Sequence, residues 1–266
     1  MLSKWKAYLI DLDGTLYHGS RMMPGADELI HAMKLNHIPF LFVTNNSSRT
    51  PGDVALHLQQ MGIPAEEDEV CTSAVAAAEY IAAVQPGASV APIGEHGLVE
   101  ALKAAGLSLD TGQPQFVVQG IDRTFTYDKL TLTARWIAEG ARYVLTNPDL
   151  LLPSQEGLMP GAGTISAAIV AATGAEPVVI GKPSKILMQH AMDRLGVTAD
   201  ETAVIGDNMF TDISAGAHAG CGTILTLTGV THRDNFQELT RKTGVEPDIV
   251  CENLDEVRAL ILNRSN

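Results

Sequence analysis

Four short, almost wholly apolar runs, each breaking off into polar residues, constrain this chain more than any other feature. They cover residues 7–10, 39–43, 177–180 and 202–205. Runs this short and apolar read as strands buried on both faces, which is the signature of a parallel sheet covered by helices. Behind them stand Asp11-Leu12-Asp13-Gly14-Thr15, Thr44-Asn45-Asn46-Ser47, Gly181-Lys182-Pro183, and Gly206-Asp207-Asn208 with Asp212 four residues further on. Open α/β sheets bind their ligands at the carboxyl ends of strands. One polar strand end is ordinary, because loops begin there. Four ends that carry carboxylates, a hydroxyl with amides, a lysine and two more carboxylates call for a shared task.

Asp11 and Asp13 are close enough in sequence to repel each other, so burying them is costly unless a cation or proton lies between them, and a metal site is favoured. Gly14 lets the backbone turn sharply and approach a ligand. An acidic turn is the alternative for this stretch alone. A calcium-binding EF-hand loop is excluded, because its glycine and glutamate positions are filled by Leu16 and Met22. For Lys182 a phosphate-binding P-loop is excluded by Glu176 and Pro183. Pro183 instead reads as the first position of a helix over residues 184–195.

Alternation of strands and helices continues along the chain. Helices are expected at 26–36, 51–61 and 73–84, and Gln85-Pro86-Gly87 reads as a linker. A second strand-and-helix set follows, with strands at 89–93, 116–118 and 143–145 and helices at 95–105, 127–139 and 162–172; the first sheet then resumes after residue 176. The motifs therefore place residues 1–84 and 177–266 in one discontinuous domain and 85–176 in an inserted one, with a single continuous sheet as the alternative.

The chain has 266 residues, 18 basic against 31 acidic, for a net charge of −13. That balance argues against nucleic-acid binding, which needs clustered Lys and Arg. It also means that an anionic substrate is drawn by local charge and not by the overall field. Three cysteines without ligand spacing, no signal peptide and no apolar run near the length of a membrane span lead to the expectation of a reduced, cytoplasmic protein without membrane contact. The eight scattered histidines read as surface or packing residues. Asp122-Arg123 reads as a surface loop, with a contact to a substrate phosphate or sugar as the alternative.

The residues of the four strand ends, in this order and each behind its own strand, resemble the signature motifs of the haloacid-dehalogenase-like (HAD) hydrolase superfamily. The long gap between Asn45 and Lys182 is similar to that of the subclass with a large inserted α/β cap, which includes NagD-like nucleotide phosphatases and p-nitrophenyl phosphatases. Thr146-Asn147-Pro148-Asp149 and Pro160-Gly161-Ala162-Gly163 also resemble that group. The resemblance implies an α/β fold with a Rossmann-like parallel-sheet core and an inserted α/β cap domain.

It further implies roles, residue by residue. Asp11 is the expected nucleophile, and Asp13 the acid that protonates the leaving alcohol and then the base that activates water. Mg2+ is expected on Asp11, the Asp13 backbone carbonyl and Asp207, supported by Asn208 and Asp212; Asp212 also reads as a helix cap. Thr44, Asn45, Asn46 and Lys182 are expected to hold the phosphoryl group. Asn147 and Asp149 read either as substrate-facing cap residues or as a turn. An aspartate at position 13 separates phosphatases and phosphomutases from the dehalogenases, which lack it, and from transport ATPases, which carry lysine there.

The expected function is a Mg2+-dependent phosphatase acting on small phosphate monoesters, nucleoside monophosphates or sugar phosphates, through an aspartyl-phosphate. A phosphometabolite sensor without turnover and a phosphomutase are the alternatives. Asp11, Asp13 and Asp207 weigh against the sensor, because binding alone needs no nucleophile. The expected partner is a small phosphorylated metabolite, and assembly into a homo-oligomer stays open.

Overall fold

The computed structural model describes residues 5–109, 112–154 and 157–263. Residues 1–4 and 264–266 of the expected discontinuous domain, and 110–111 and 155–156 of the expected insertion, lie outside the described residues. The chain divides into two compact units, one of residues 1–44, 52–71 and 182–266, the other of residues 45–51 and 72–181.

In the first unit the opening apolar run forms the strand Ala7–Ile10, with all four side chains buried. It lies parallel between Thr202–Gly206 and Phe40–Thr44, with Ile10 level with Ile205 on one side and Phe42 on the other. Gly222–Thr226 and Ile249–Cys251 extend the sheet in parallel beyond Thr202–Gly206, and Val70–Thr72 forms the opposite edge of the six strands. Because the five strands from Phe40–Thr44 to Ile249–Cys251 run in one direction and in register, their carboxyl ends gather at one side of the sheet. The helix Ala26–Leu35 covers the sheet with Leu29, Ile30 and Met33, which pack with Tyr8, Ile10, Phe42 and Ile224. Asp27 and Glu28 in its first turn and Lys34 in its last suit the helix dipole.

The second unit has its own sheet of four parallel strands, in the order Val178–Val179, Arg142–Leu145, Phe116–Gln119 and Val90–Ile93. Its core joins Ala91, Val117, Tyr143 and Ile169, the last from the helix Ala162–Thr173. The Tyr143 hydroxyl donates to Gln119 Oε1 at 2.8 Å and meets Ser166 Oγ at 2.9 Å, and Gln119 Nε2 donates to Ala162 O at 3.1 Å. This buried network ties the start of that helix to the sheet.

Three expectations are corrected here. The run at 177–180 does not rejoin the first sheet: Val178–Val179 pairs with Arg142–Leu145, and Ile180 and Gly181 donate to Leu145 O and Thr146 O. An apolar run reports burial, not the sheet that buries it. Gln85-Pro86-Gly87 does not separate the units either, since the helix Ser73–Val84 belongs to the second unit and packs on the helix His96–Ala104. The chain therefore passes between units near residues 44, 51, 71 and 181 instead of at 84 and 176. Finally, Pro183 precedes the helix Lys185–Leu195 instead of starting it; Ser184 caps that helix, its Oγ accepting from Ile186 N at 3.3 Å.

An antiparallel hairpin of Leu151–Ser154 and Gly157–Pro160 was not foreseen, and neither were the two outer strands Gly222–Thr226 and Ile249–Cys251. Among the described residues no helix is long and apolar enough to cross a membrane. The three cysteines are buried, and none forms a disulfide among the described residues. Replacing Tyr143 with Phe keeps the ring but leaves the buried Gln119 carbonyl without its donor. It is expected to cost about 1–3 kcal/mol in chemical denaturation, and a variant as stable as the parent would show that the network contributes little.

Candidate active site

Asp11 extends the first strand by one hydrogen bond, its N–H donating to Ile205 O at 2.9 Å, so its side chain stands at the carboxyl edge of the sheet. The backbone then turns: Leu16 N donates to Leu12 O at 2.8 Å, and Gly14 adopts a φ of 94°. Glycine is needed there for a second reason. A Cβ on Gly14 would lie 2.5 Å from Asp207 Oδ2, so the close approach foreseen at this position is made by the Asp207 carboxylate. Thr15, brought round by the turn, donates through Oγ1 toward Asp11 Oδ2 and Asp207 Oδ1, both at 3.2 Å.

Lys182 crosses to the same place. Its ammonium donates to Asp11 Oδ1, to Asp212 Oδ1 at 2.5 Å and to Val43 O at 3.4 Å, and the residue is only 3% exposed. Asp207 is held from another side by Val230 N, which donates to its Oδ2 at 2.6 Å, while Thr231 N donates to Asp207 O at 3.0 Å. Thr228 Oγ1 donates to Gly14 O at 2.9 Å, which ties this loop to the Asp11 turn.

The charges do not balance. Asp11, Asp207 and Asp212 are buried around one ammonium. Burial pushes the Asp11 carboxyl up to about 6, against the pull of Lys182. Burial likewise raises Asp207 and Asp212, with the charge of Asp212 adding to the rise at Asp207 and that of Asp11 to the rise at Asp212. Burial opposes the Lys182 charge, but the carboxylates of Asp11 and Asp212 outweigh it and hold the amine above its ordinary range. Asp13 differs. Its side chain is about half exposed (53%), 3.9 Å from His18 Nδ1. Partial desolvation still raises its carboxyl, against the pull of His18.

The structure thus brings together Asp11, Lys182, Asp207 and Asp212 of the expected set, with Thr44 at the end of the neighbouring strand Phe40–Thr44. Asp212 does not cap a helix with its free end; it binds Lys182, while its Oδ2 accepts from Asn208 N at 3.2 Å. Asn208 is the cap, its Oδ1 accepting from Phe210 N at 2.9 Å. Asn45, Asn46, Asn147 and Asp149 fall in the second unit. There Asn46 Oδ1 accepts from Ser48 N and Ser48 Oγ, both at 2.9 Å, as a turn-former does. Arg123 donates through Nη1 to both carboxylate oxygens of Glu95, in keeping with the surface-loop reading, whereas Asp122 is buried beneath that loop, paired with Lys129.

Two features escaped the sequence. One is the double contact of Thr15; the other is the loop 226–231, which holds Asp207. The only signal for the loop was the hydroxyl- and glycine-rich Thr226-Leu227-Thr228-Gly229, behind a strand that was itself missed.

Among the described residues one carboxylate group could share a metal ion: Asp11, Asp207 and Asp212, whose ligand oxygens lie within 4.8 Å of one another. An all-oxygen donor set with surplus buried negative charge fits a hard divalent cation. The Asp13 carboxylate lies outside this group, so only its backbone carbonyl remains as the expected contribution.

A phosphate-handling α/β hydrolase is the class that this fold and site define, and comparison with known proteins agrees. The family model described as haloacid dehalogenase-like hydrolase matches residues 8–108, and a second, described as HAD-hydrolase-like, matches residues 179–257. The chain is 44% identical over 251 residues to the 5'-nucleotidase YutF of Bacillus subtilis, covering 94% of this chain and 98% of the relative. It is 43% identical to an acid sugar phosphatase of Staphylococcus epidermidis, covering 89% and 92%. Among solved structures, the p-nitrophenyl phosphatase from Archaeoglobus fulgidus superposes with a TM-score of 0.92 at 36% identity, covering 96% of this chain and 99% of that one. NagD from E. coli K-12 superposes with a TM-score of 0.88 at 31% identity, covering 95% and 98%. The chain belongs to the haloacid dehalogenase-like hydrolase family, in its NagD-like branch of phosphatases, which are phosphoric monoester hydrolases.

A divalent cation held by these carboxylates would compete with protons, so its effect on stability is expected to depend on pH. A carboxyl with a raised folded-state pKa stabilises the fold while protonated, fully below about pH 4, and that contribution is lost as pH rises through about 6. The rise in thermal midpoint on adding divalent cation should therefore be small at about pH 5 and grow to several degrees by about pH 7.5. A rise that is flat with pH, or larger in acid, would count against the carboxylate site.

Proposed function

We propose that this protein is a Mg2+-dependent phosphatase of small phosphate monoesters that works through an aspartyl-phosphate on Asp11. The observation that carries this reading is the burial of Asp11 at a strand end, with one carboxylate oxygen bound by Lys182 and the other by Thr15, beside Asp207 and Asp212. Asp11, Asp207 and the Asp13 carbonyl would hold the ion, which supplies charge neutralisation between an anionic nucleophile and an anionic ester.

The chain's own groups account for the rest of the chemistry. Asp11 attacks phosphorus, the bond from phosphorus to the ester oxygen breaks, and Asp13 gives its proton to the departing alcohol. The raised pKa of Asp13 suits a carboxyl that must arrive protonated. Asp13, now ionised, takes a proton from water as that water attacks the aspartyl-phosphate, which releases inorganic phosphate and restores Asp11. Lys182, the Thr44 hydroxyl and the Asn45 backbone N–H would carry the charge on the transferring phosphoryl oxygens. Lys182 is already locked in place by Asp11 and Asp212, so little reorganisation is needed when phosphate arrives.

The relatives' names support the substrate class: they are a 5'-nucleotidase, an acid sugar phosphatase and a p-nitrophenyl phosphatase. Nucleoside monophosphates, sugar phosphates and aryl phosphates share only the monoester. We assign the handling of the phosphoryl group to the first unit together with the Asn45 N–H that adjoins it in the chain, and the choice among leaving groups to side chains of the second.

The nucleophile is tested with p-nitrophenyl phosphate. Asp11→Asn should fold yet release phosphate at less than about a thousandth of the parent rate, since losing the covalent route costs at least several kcal/mol of barrier. Turnover well above that level would remove Asp11 from the role. The cation is tested separately. Activity should vanish on exhaustive chelation, return with Mg2+ or Mn2+, and be inhibited by Ca2+, which is larger and takes more ligands. Full activity after chelation would contradict the metal requirement.

A further inference from the structure

Within the second unit, one oxygen of Asp149 gathers two amides. Asn147 Nδ2 donates to Asp149 Oδ2 at 2.7 Å, and Asn45 Nδ2 donates to the same oxygen at 3.1 Å. The other end of Asn147 is also engaged, its Oδ1 accepting from Thr146 Oγ1 at 2.9 Å, and the residue is 5% exposed. A buried side chain whose amide and carbonyl are both in use is built to hold its neighbours in place, not to read a substrate.

Gly181 completes the cluster. Its N–H donates to Thr146 O at 2.8 Å, and a Cβ there would lie 2.4 Å from that oxygen and 2.5 Å from Asn45 Oδ1. The Asn45 carboxamide is thus packed against the Gly181 backbone at one end and hydrogen-bonded to Asp149 at the other. The Asn45 carbonyl is held as well, accepting from Ser73 Oγ at 2.8 Å.

The places of these residues in the chain give the cluster its significance. Asn45 directly follows Thr44 and Gly181 directly precedes Lys182, and both junctions are points where the chain passes between the compact units. Building on the phosphatase function inferred above, we propose that Asp149, Asn147 and Gly181 are positioning residues. They clasp the Asn45 side chain and the Gly181 backbone, and through the two adjoining peptide bonds they set where the Thr44 hydroxyl, the Asn45 N–H and the Lys182 ammonium stand. Asp149 is then a determinant of rate toward every substrate, where the sequence had left open a substrate-facing residue or a turn.

The experiment compares the parent with Asn45→Ala, Asp149→Ala, Asp149→Asn and the double variant Asn45→Ala/Asp149→Ala. It measures kcat and KM for p-nitrophenyl phosphate, a nucleoside monophosphate and a sugar phosphate, and the inhibition constant of orthovanadate, which mimics the phosphoryl group and has no leaving group. Asn45→Ala keeps the backbone N–H and removes only the clasp. Each alanine variant should lower kcat/KM about 10- to 100-fold for all three esters alike, as small misplacements of binding groups do, and weaken vanadate in step. The double variant should be no worse than the more damaging single, because both changes break one contact. Asp149→Asn, which keeps an acceptor oxygen, should recover most of the loss.

A changed ranking of the three esters with vanadate unaffected would show that Asp149 reads the leaving group and would overturn the proposal. So would losses that multiply in the double variant, or variants as active as the parent. Parent protein that releases no phosphate from any ester would instead sink the phosphatase function itself, before any variant is compared.

Discussion

The ammonium of Lys182, shared between the carboxylates of Asp11 and Asp212, is the contact on which the site depends. Ionised carboxylates buried side by side are unfavourable without a counter-charge, and here one lysine serves two of them. Losing the lysine would leave both carboxylates uncompensated, whereas losing one carboxylate still leaves the lysine a partner. Removing one member of a buried ion pair typically costs about 3–5 kcal/mol, because the other charge is left without compensation. The same contact prepares the chemistry. It holds one oxygen of Asp11 while Thr15 engages the other, and it keeps the lysine charged and stationary where a phosphoryl group would need it.

The rest of the first unit follows from keeping that cluster in register. Ile10, Phe42 and Ile205 stand level across three strands, so the residues just beyond them arrive at one edge. Gly14 turns the chain without a side chain that would strike Asp207, and the loop after Gly222–Thr226 returns to clamp Asp207 through Val230 and the Asp11 turn through Thr228. Gly229 is forced for the same reason as Gly14, since a Cβ there would lie 2.1 Å from Asp207 Oδ2. Close packing of backbone around a carboxylate substitutes fixed N–H donors for water, which is what a buried anionic site needs before a cation or substrate arrives. In the second unit polar contacts play a different part: Tyr143 with Gln119 and Ser166, and Asp149 with Asn45 and Asn147, orient backbone segments around an aliphatic core.

Much of this was legible in the chain before folding was considered. The α/β class, the strands at Ala7–Ile10, Phe40–Thr44 and Thr202–Gly206, and the strand-end places of Asp11 and Asp207 follow from short apolar runs that stop at chemistry-bearing residues, because period and burial are local properties; the run before Lys182 ends a strand of the other sheet, so the place of that lysine does not follow from it. Helix ends were legible where a cap or breaker marks them, as at Ser73–Val84, which starts behind Thr72, whose side chain accepts from Val75 N at 3.2 Å.

What the sequence by itself determined is which residues can be buried, where the chain must turn, and which groups are able to bind phosphate and a cation. What only the tertiary structure decided is partnership. Val178–Val179 could have joined either sheet, and its neighbours across the ladder made the choice. Asp212 reads as a cap or a supporting ligand until Lys182, 30 residues away, is seen to take it. Asp149 reads as a turn or a substrate contact until Asn45, 104 residues away, is found on its oxygen. A hydrogen bond or salt bridge depends on distance in space, and spacing along the chain carries no information about residues that the fold brings together from so far apart.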